Sequence, residues 1–349
     1  MSVEIMRRAV IVGPRQVEIQ ESPLPALAPD DVLVRVRHSA LCTFEQRAYS
    51  GADTRFYPLL GGHEMAGVVE AMGAQVLNVK VGDKVAIWAI DRCGSCYSCR
   101  RGQACDNVWF KRAGAEKPKG PTGPAGLATH KLAKEYQVFK LAPGTDLLEA
   151  SLTEPLACVL RSVNKADVKA GDTVVVVGGG VMGLLHTMLA RGRGAQVIVS
   201  EPHAQRRQDS ARFGAQHAID PINENFAEQV KAFTNGRGAD VVIVATSAVP
   251  ALQSAFGAVC KGGRMMVYAR MEPKGATISV DPNLFHDSEI VLSGTISTSP
   301  EEFQQAAEIV STHALDLRSI ISVTYPLDEI QPAFEASMDL GTYRVVVNT

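Results

Sequence analysis

Cys93-Gly-Ser-Cys96-Tyr-Ser-Cys99-Arg-Arg-Gly-Gln-Ala-Cys105 gathers four of the chain's 7 cysteines into one short stretch. In a reducing compartment, thiols at this spacing read as a metal site rather than a disulfide framework. Four thiolates close a tetrahedral shell and leave no position for a substrate, so the chemistry is that of a structural zinc. A second set of donors is scattered along the chain: Cys42, His63, Glu64 and Glu154. A Cys/His/carboxylate set keeps a coordination position open for water or a substrate oxygen, as a catalytic zinc requires. His63-Glu64 follows Leu59-Leu-Gly-Gly, a turn able to present both side chains together, and Glu154 opens a candidate helix. On spacing alone, a lone Cys or His is more often a core residue than a ligand.

A third feature binds phosphate. Gly178-Gly-Gly180-Val181-Met182-Gly183 follows a run of four valines and opens a helical pattern. One glycine permits the tight turn, one lets backbone approach a pyrophosphate, and one lets helix pack on strand, with the phosphates at the helix N-terminus. Glu201 ends the next apolar run, 18 residues beyond Gly183. An acid there accepts hydrogen bonds from ribose hydroxyls and repels a 2′-phosphate, which favours NAD over NADP. Arg206, close by, argues the other way, because a cation accommodates the extra phosphate.

These residues need elements to position them. Before residue 150, short apolar runs such as Val32-Leu-Val-Arg-Val-Arg and Gly67-Val-Val-Glu alternate with turns such as Val81-Gly-Asp-Lys, a β-rich texture. Lys111 to Gly126 reads as a loop. The texture then changes: a helix over Ser151–Lys165, a buried strand after Asp172, a helix over Val181–Arg191, and a strand Gln196–Ser200. Helices over Ala204–Phe213 and Ala251–Cys260 and strands from Asp240 and Arg264 follow. Apolar strands alternating with helices imply a parallel sheet covered by helices on both faces, so the fold class is α/β. Short strands return after Gly294.

Composition excludes several classes. At 349 residues the prior is two domains, and 46 % hydrophobic with 21 % charged residues is a globular mix. A net charge of −2 offers no basic field for nucleic acid. No window approaches a membrane-spanning apolar run, and the first residues lack the apolar stretch of a signal peptide, so a soluble, cytoplasmic protein with no membrane partner is expected.

In order along the chain, Cys42, Gly62-His63-Glu64-Met-Ala-Gly67, the cysteine lobe, Glu154-Pro-Leu-Ala and the glycine loop resemble the zinc-containing medium-chain alcohol dehydrogenases, in particular the polyol (sorbitol-type) and L-threonine dehydrogenase branch. The resemblance covers nearly the whole chain. It implies a GroES-like catalytic domain from residues 1–152 and 295–349, with a Rossmann NAD-binding domain at 153–294. It implies two zinc ions: a catalytic one on Cys42, His63 and Glu154, with Glu64 as a direct, exchanging or outer carboxylate, and a structural one on Cys93, Cys96, Cys99 and Cys105. It also implies a small-molecule alcohol or ketone substrate and a homodimer or homotetramer.

The chain departs from that pattern at informative places. The family's Cys-Gly-Ser/Thr-Asp is Cys42-Thr43-Phe44-Glu45, so the hydroxyl that begins the proton relay is replaced by an aromatic wall. The proton then leaves through Thr43, a water or Glu45. Arg47 stands where a relay histidine is frequent and suits a phosphate or carboxylate on the substrate, and Trp88 is a further candidate for the substrate pocket. The last cysteine loop is shorter than usual, which weakens Cys105 as a ligand. The reading is a zinc-dependent NAD(H) oxidoreductase that interconverts a secondary alcohol (a polyol, sugar alcohol or sugar phosphate) and its ketone. The alternatives are a threonine or amino-cyclitol dehydrogenase of the same fold, or a catalytically silent NAD-binding sensor lacking zinc at Cys42.

Overall fold

The structure, a computed structural model, describes residues 5–108 and 119–349. The chain divides into two compact units, Met1–Ala157 with Thr298–Thr349, and Cys158–Ser297.

The second unit holds a six-stranded sheet in the order His217–Ile219, Gln196–Ser200, Thr173–Val177, Ala239–Val244, Val259–Val267, Val291–Gly294, with every neighbouring pair parallel. Parallel neighbours cannot be joined by a tight turn. Helices Val181–Gly192, Ala204–Asp209, Phe226–Phe233, Val249–Ala255 and Pro282–Ser288 intervene between successive strands. The central strands are valine runs because they are buried, with Val174, Val175, Val176, Val241, Val242 and Val244 fully covered. Two expected helices are shorter than their sequence pattern. The one expected over Ala251–Cys260 ends at Ala255, because Val259 already pairs with Ala239 in the ladder. The one expected over Ala204–Phe213 tightens to a 3₁₀ turn at Ser210–Phe213, closed by Gly214 in the left-handed region.

The first unit is β-rich. A three-stranded sheet runs Gln16–Pro23, Ile5–Gly13, Leu59–Leu60. A larger sheet runs Ile321–Pro326, Arg344–Asn348, Asp31–Ala40, Glu64–Met72, Lys84–Trp88, Val138–Lys140, with His130–Lys134 also on Asp31–Ala40. Its register brings distant residues together. Ala40 lies opposite both Glu64 and Val346, and Glu64 lies opposite Trp88. The chain's final strand is therefore laid beside the strand that leads into Cys42. Behind it, Val34, Val36, Met65, Val69, Val85 and Ile87 form one buried cluster, and Tyr49 stacks on Phe334 at 4.6 Å in another. Of the loop expected over Lys111–Gly126, residues 111–118 lie outside the described residues. Among the described residues no helix is long and apolar enough to cross a membrane.

Candidate metal and dinucleotide sites

Cys42 is the N-cap of helix Thr43–Ser50, with Glu45 at the third helical position. The Glu45 carboxylate is wholly buried and shared among backbone and imidazole. Oε2 accepts the Cys42 N–H at 3.3 Å, and Oε1 accepts the Gly62 N–H at 2.9 Å and meets His63 Nδ1 at 2.8 Å. One side chain thus ties the Cys42 turn to the His63 turn and leaves Nε2 as the outward ring nitrogen of His63. Burial opposes ionised Glu45, but His63 and the donated N–H groups hold it below the ordinary carboxylate range. Burial likewise opposes charge on His63, whose pKa is nevertheless raised well above its usual value by Glu45 and Cys42.

The turn before His63 depends on Gly62. Its φ is +89°, and a Cβ there would sit 2.3 Å from the Leu127 nitrogen, so no side chain fits. His63 and Glu64 emerge from it, and donor atoms of Cys42, His63 and Glu64 all lie within 4.8 Å of one another. Glu154, in the first turn of helix Thr153–Lys165, places Oε2 4.0 Å from His63 Nε2. Tetrahedral zinc with N and O ligands sets a ligand-to-ligand edge of about 3.4 Å, so a small adjustment admits the ion. Glu64 is fully buried; its oxygens meet hydrogen-bond geometry with nothing among the described residues, and Oε1 has the Arg344 guanidinium 3.1 Å away. A buried carboxylate in that condition beside a thiol and an imidazole fits a cation. Burial pushes Glu64 up to about 7, against the pull of Arg344 and His63. Burial, then Glu64, pushes up the Cys42 thiol. A metal entering here must therefore displace protons.

Sequence reasoning missed Arg344. It lies on the last strand, 3 % exposed, with Nη2 3.1 Å from Glu64 Oε1 and Nη1 donating 2.8 Å to the Leu41 carbonyl. No local motif announces it. Only the sheet register puts the end of the chain beside Cys42. Phe44 stands 5.7 Å from both the Phe56 and His63 rings, an apolar wall against the imidazole. Thr43 is exposed, and Arg47 follows one helical turn later on the same face. Trp88 is 2 % exposed at a strand end, with the Arg92 guanidinium over its ring at 5.7 Å.

The cysteine lobe is a separate cluster. The four Sγ atoms of Cys93, Cys96, Cys99 and Cys105 lie within 4.8 Å of one another, and Cys96 and Cys105 are 4.0 Å apart. Zn–S bonds in a tetrahedron require S···S edges of about 3.8 Å, so the shorter last loop still reaches. Backbone N–H groups of Cys96, Cys99 and Asn107 point at Cys93, Cys96 and Cys105, and Asn107 Nδ2 approaches Cys93 at 3.2 Å. The Ser95 hydroxyl and these donors bring the Cys93 thiol down to about 5, while burial pushes Cys105 up to about 11.

In the second unit, Gly180 caps helix Val181–Gly192, and Val181 and Met182 are the first two residues of its opening turn. A Cβ on Gly183 would lie 1.8 Å from the Gly178 carbonyl oxygen, so the helix rests directly on the strand end. Glu201 is nearly buried: Oε2 accepts the Gly179 N–H at 2.6 Å and Oε1 the His203 N–H at 2.8 Å. Arg206 brings Nη1 to 3.8 Å from where a Gly180 Cβ would stand. Its neighbour Arg207 is tied instead to Asp220 at 2.9 Å.

The chain matches two described families: alcohol dehydrogenase GroES-like domains over residues 28–143 and zinc-binding dehydrogenases over residues 181–312. It is 30 % identical to 2-dehydro-3-deoxy-L-galactonate 5-dehydrogenase of Pseudoalteromonas atlantica over 96 % of this chain and 95 % of that one. It is 27 % identical to sorbitol dehydrogenase of Bacillus subtilis over 95 % and 94 %. Among solved structures, a zinc-binding dehydrogenase of Sinorhizobium meliloti 1021 bound to NADP superposes with a TM-score of 0.88 at 27 % identity, covering 99 % of this chain and 100 % of that one.

Proposed function

Starting from the zinc-containing medium-chain dehydrogenase/reductase family, to whose polyol dehydrogenase branch this chain belongs, we propose that it interconverts a secondary alcohol of a polyol or sugar derivative and the corresponding ketone, with NAD(H) as redox partner. The observation that carries this reading is that Cys42, His63 and Glu64 bring donor atoms within 4.8 Å of one another, with Glu154 Oε2 4.0 Å from His63 Nε2 and the other ring nitrogen of His63 held by Glu45. Those three side chains would hold the ion, with Glu64 as the exchanging carboxylate, and Cys93, Cys96, Cys99 and Cys105 would hold a structural one. When bound, zinc supplies Lewis-acid polarisation of the substrate oxygen, and the nicotinamide accepts hydride.

The chain's own residues do the remaining work. Glu45 keeps the Nδ1 proton of His63 engaged, so that Nε2 would be the lone pair offered to an ion. Phe44, backed by Phe56, covers one side of the imidazole. With Glu45 committed to His63, the exposed Thr43 hydroxyl or a water is the proton's exit. In the second unit, Gly178, Gly180 and Gly183 with the N–H groups of Val181 and Met182 receive the pyrophosphate. Glu201, pinned to the loop, meets the adenosine ribose and disfavours a 2′-phosphate, while Arg206 flanks it.

Arg47 on the face of Thr43 directs the substrate class toward anions, a sugar acid or sugar phosphate, by charge-assisted hydrogen bonds. The galactonate relative, whose named substrate bears a carboxylate, supports this direction. The enzyme is read as cytoplasmic and homo-oligomeric.

Metal content per chain, measured by elemental analysis on wild type and Cys42→Ala beside NADH formation over neutral and anionic polyols, tests this reading. Two zinc ions in wild type, one in the variant and turnover only with two is the expected result. One zinc in both proteins with NAD still bound overturns it in favour of a sensor. Arg47→Ala is expected to raise KM for anionic polyols about ten-fold and leave neutral ones unchanged, the scale of one charge-assisted pair.

A further inference from the structure

Helix Thr43–Ser50 ends at Gly51, whose φ of +84° turns the chain, and the Asp53 N–H donates to the Arg47 carbonyl at 3.0 Å. The Asp53 carboxylate then organises Arg55. Oδ1 accepts the Arg55 backbone N–H at 3.3 Å and its Nε–H at 2.8 Å, and Oδ2 accepts from Nη2 at 2.5 Å. The guanidinium also lies over the Phe56 ring, with Cζ 5.0 Å from the centroid. A surface arginine ordinarily samples many rotamers. This one, 60 % exposed, is held by an aromatic face and by a carboxylate that is itself only 14 % exposed. Its ordering is complete before any ligand arrives, which lowers the entropic cost of binding one.

The same stretch leads back to His63. Phe56 packs on Phe44 and Phe44 on the imidazole, each pair at 5.7 Å. Phe44 and Arg47, three positions apart on the helix, share a face. Arg55, with a further contribution from Arg47, holds the Asp53 carboxyl below its usual range against burial. Two guanidiniums therefore share one carboxylate at the far end of an aromatic wall that begins at His63. Glu45, on the same helix, is engaged by His63 and the Gly62 N–H instead. Asp53 takes Arg55 from the side, through Nε and Nη2, and the end-on edge of the fork remains for a second anion.

We propose that Arg55, together with Arg47, is a specificity-determining residue that receives a terminal phosphate of the polyol substrate, with the carbon chain lying along Phe56 and Phe44 toward the Cys42 site. The inference rests on the reading of that site as the place of alcohol oxidation, and narrows its anionic substrates to phosphomonoesters. A carboxylate has two oxygens in one plane and is saturated by one fork. A phosphomonoester carries close to two charges on three acceptor oxygens and serves two forks at once.

The test is calorimetric binding to the zinc-loaded, full-length protein with NADH in place of NAD, so that alcohols bind without reacting. The ligands are glucitol, gluconate, glucitol 6-phosphate and inorganic phosphate. Wild type is expected to bind glucitol 6-phosphate about a hundred-fold tighter than glucitol, the scale of two charge-assisted contacts, with gluconate between them. Arg55→Gln is expected to cut the preference for the phosphate over glucitol by about ten-fold, and Arg55→Lys, a point charge without the fork, by less. Inorganic phosphate, which lacks the chain, should compete only weakly.

An unchanged preference in Arg55→Gln overturns the proposal, as does a variant that loses affinity for glucitol and its phosphate alike, since that is the mark of a merely structural arginine. Gluconate as tight as the phosphate overturns it too, and inorganic phosphate as tight as glucitol 6-phosphate replaces it with a free-anion site. Equal affinity for glucitol and glucitol 6-phosphate in wild type removes only this inference. Binding of none of the three polyols removes the polyol dehydrogenase reading with it.

Discussion

The cysteine lobe and the Cys42 site are both candidate sets of metal donors in the same unit, yet they are built in opposite ways. The lobe draws all four sulfurs from one short stretch, and the N–H groups that support the thiolates come from the same turns. The Cys42 site draws donors from a helix cap, a glycine turn and the first turn of a distant helix, and its supporting charges, Glu45 and Arg344, come from two more elements. A local site of like ligands closes on itself and is suited to stability. A site assembled from separated elements carries more carboxylates than one ion needs, and the excess must be held by other residues. That surplus is what leaves room for chemistry.

Exchanging one ligand in each site gives the largest expected contrast. Cys42→Ala should lower turnover by about a thousand-fold or more, the several kcal/mol a Lewis acid supplies, with the melting temperature little changed. Cys99→Ala should do the reverse: the lobe loses its metal and the melting temperature drops by several degrees, since metal binding there is folding energy. Turnover per folded molecule should persist. Calorimetry with metal analysis and steady-state kinetics on the same preparations checks both, and a stable, inactive Cys99→Ala protein would break the comparison.

A smaller effect is expected from the support rather than the ligand. Glu45→Gln keeps the shape but cannot hold the His63 ring proton as an ion, and should reduce metal affinity or turnover by about 10–100-fold. Chelator competition measures the first and kinetics the second. A change below two-fold, as in ordinary surface substitutions, would mean that the three contacts of Glu45 serve only the turn.

The smallest effect comes from a buried titratable group outside both sites. His186 is buried in the second unit, with Nδ1 2.7 Å from the Met182 carbonyl oxygen and the Tyr268 ring edge-on at 4.5 Å. Burial brings its pKa from 6.5 down to about 4 against that hydrogen bond. The folded state therefore prefers the neutral ring. The associated stability is whole above the unfolded value of 6.5 and is lost as pH falls toward about 4. In His186→Leu this loss should disappear, flattening the stability profile by up to about 1.4 kcal/mol per pH unit within that window. Urea unfolding at several pH values measures it, and identical slopes in the two proteins would contradict the assignment.

Legibility followed the distance over which each feature is specified. Four valines, three glycines and an acid at the next strand end lie within one strand–helix–strand unit, so pattern reading located the loop and its helix. Helix ends were less legible: the pattern through Cys260 continued helically, but pairing of Val259 with Ala239 captured the segment for the sheet. Glu45 was visible as a residue and open in role, since a carboxylate three positions after a cysteine can face solvent as readily as an imidazole. Arg344 carried no signal in the linear chain.

The sequence by itself determined the donor types, the four-sulfur lobe, the glycine loop between strand and helix and the α/β class, because each depends on short-range spacing or on the periodicity of apolar residues. The tertiary structure alone decided which buried charges meet. Ala40 had to lie opposite Glu64 and Val346 before Arg344 could reach Glu64, and strand register across a sheet is set by the packing of whole faces rather than by any local run of residues.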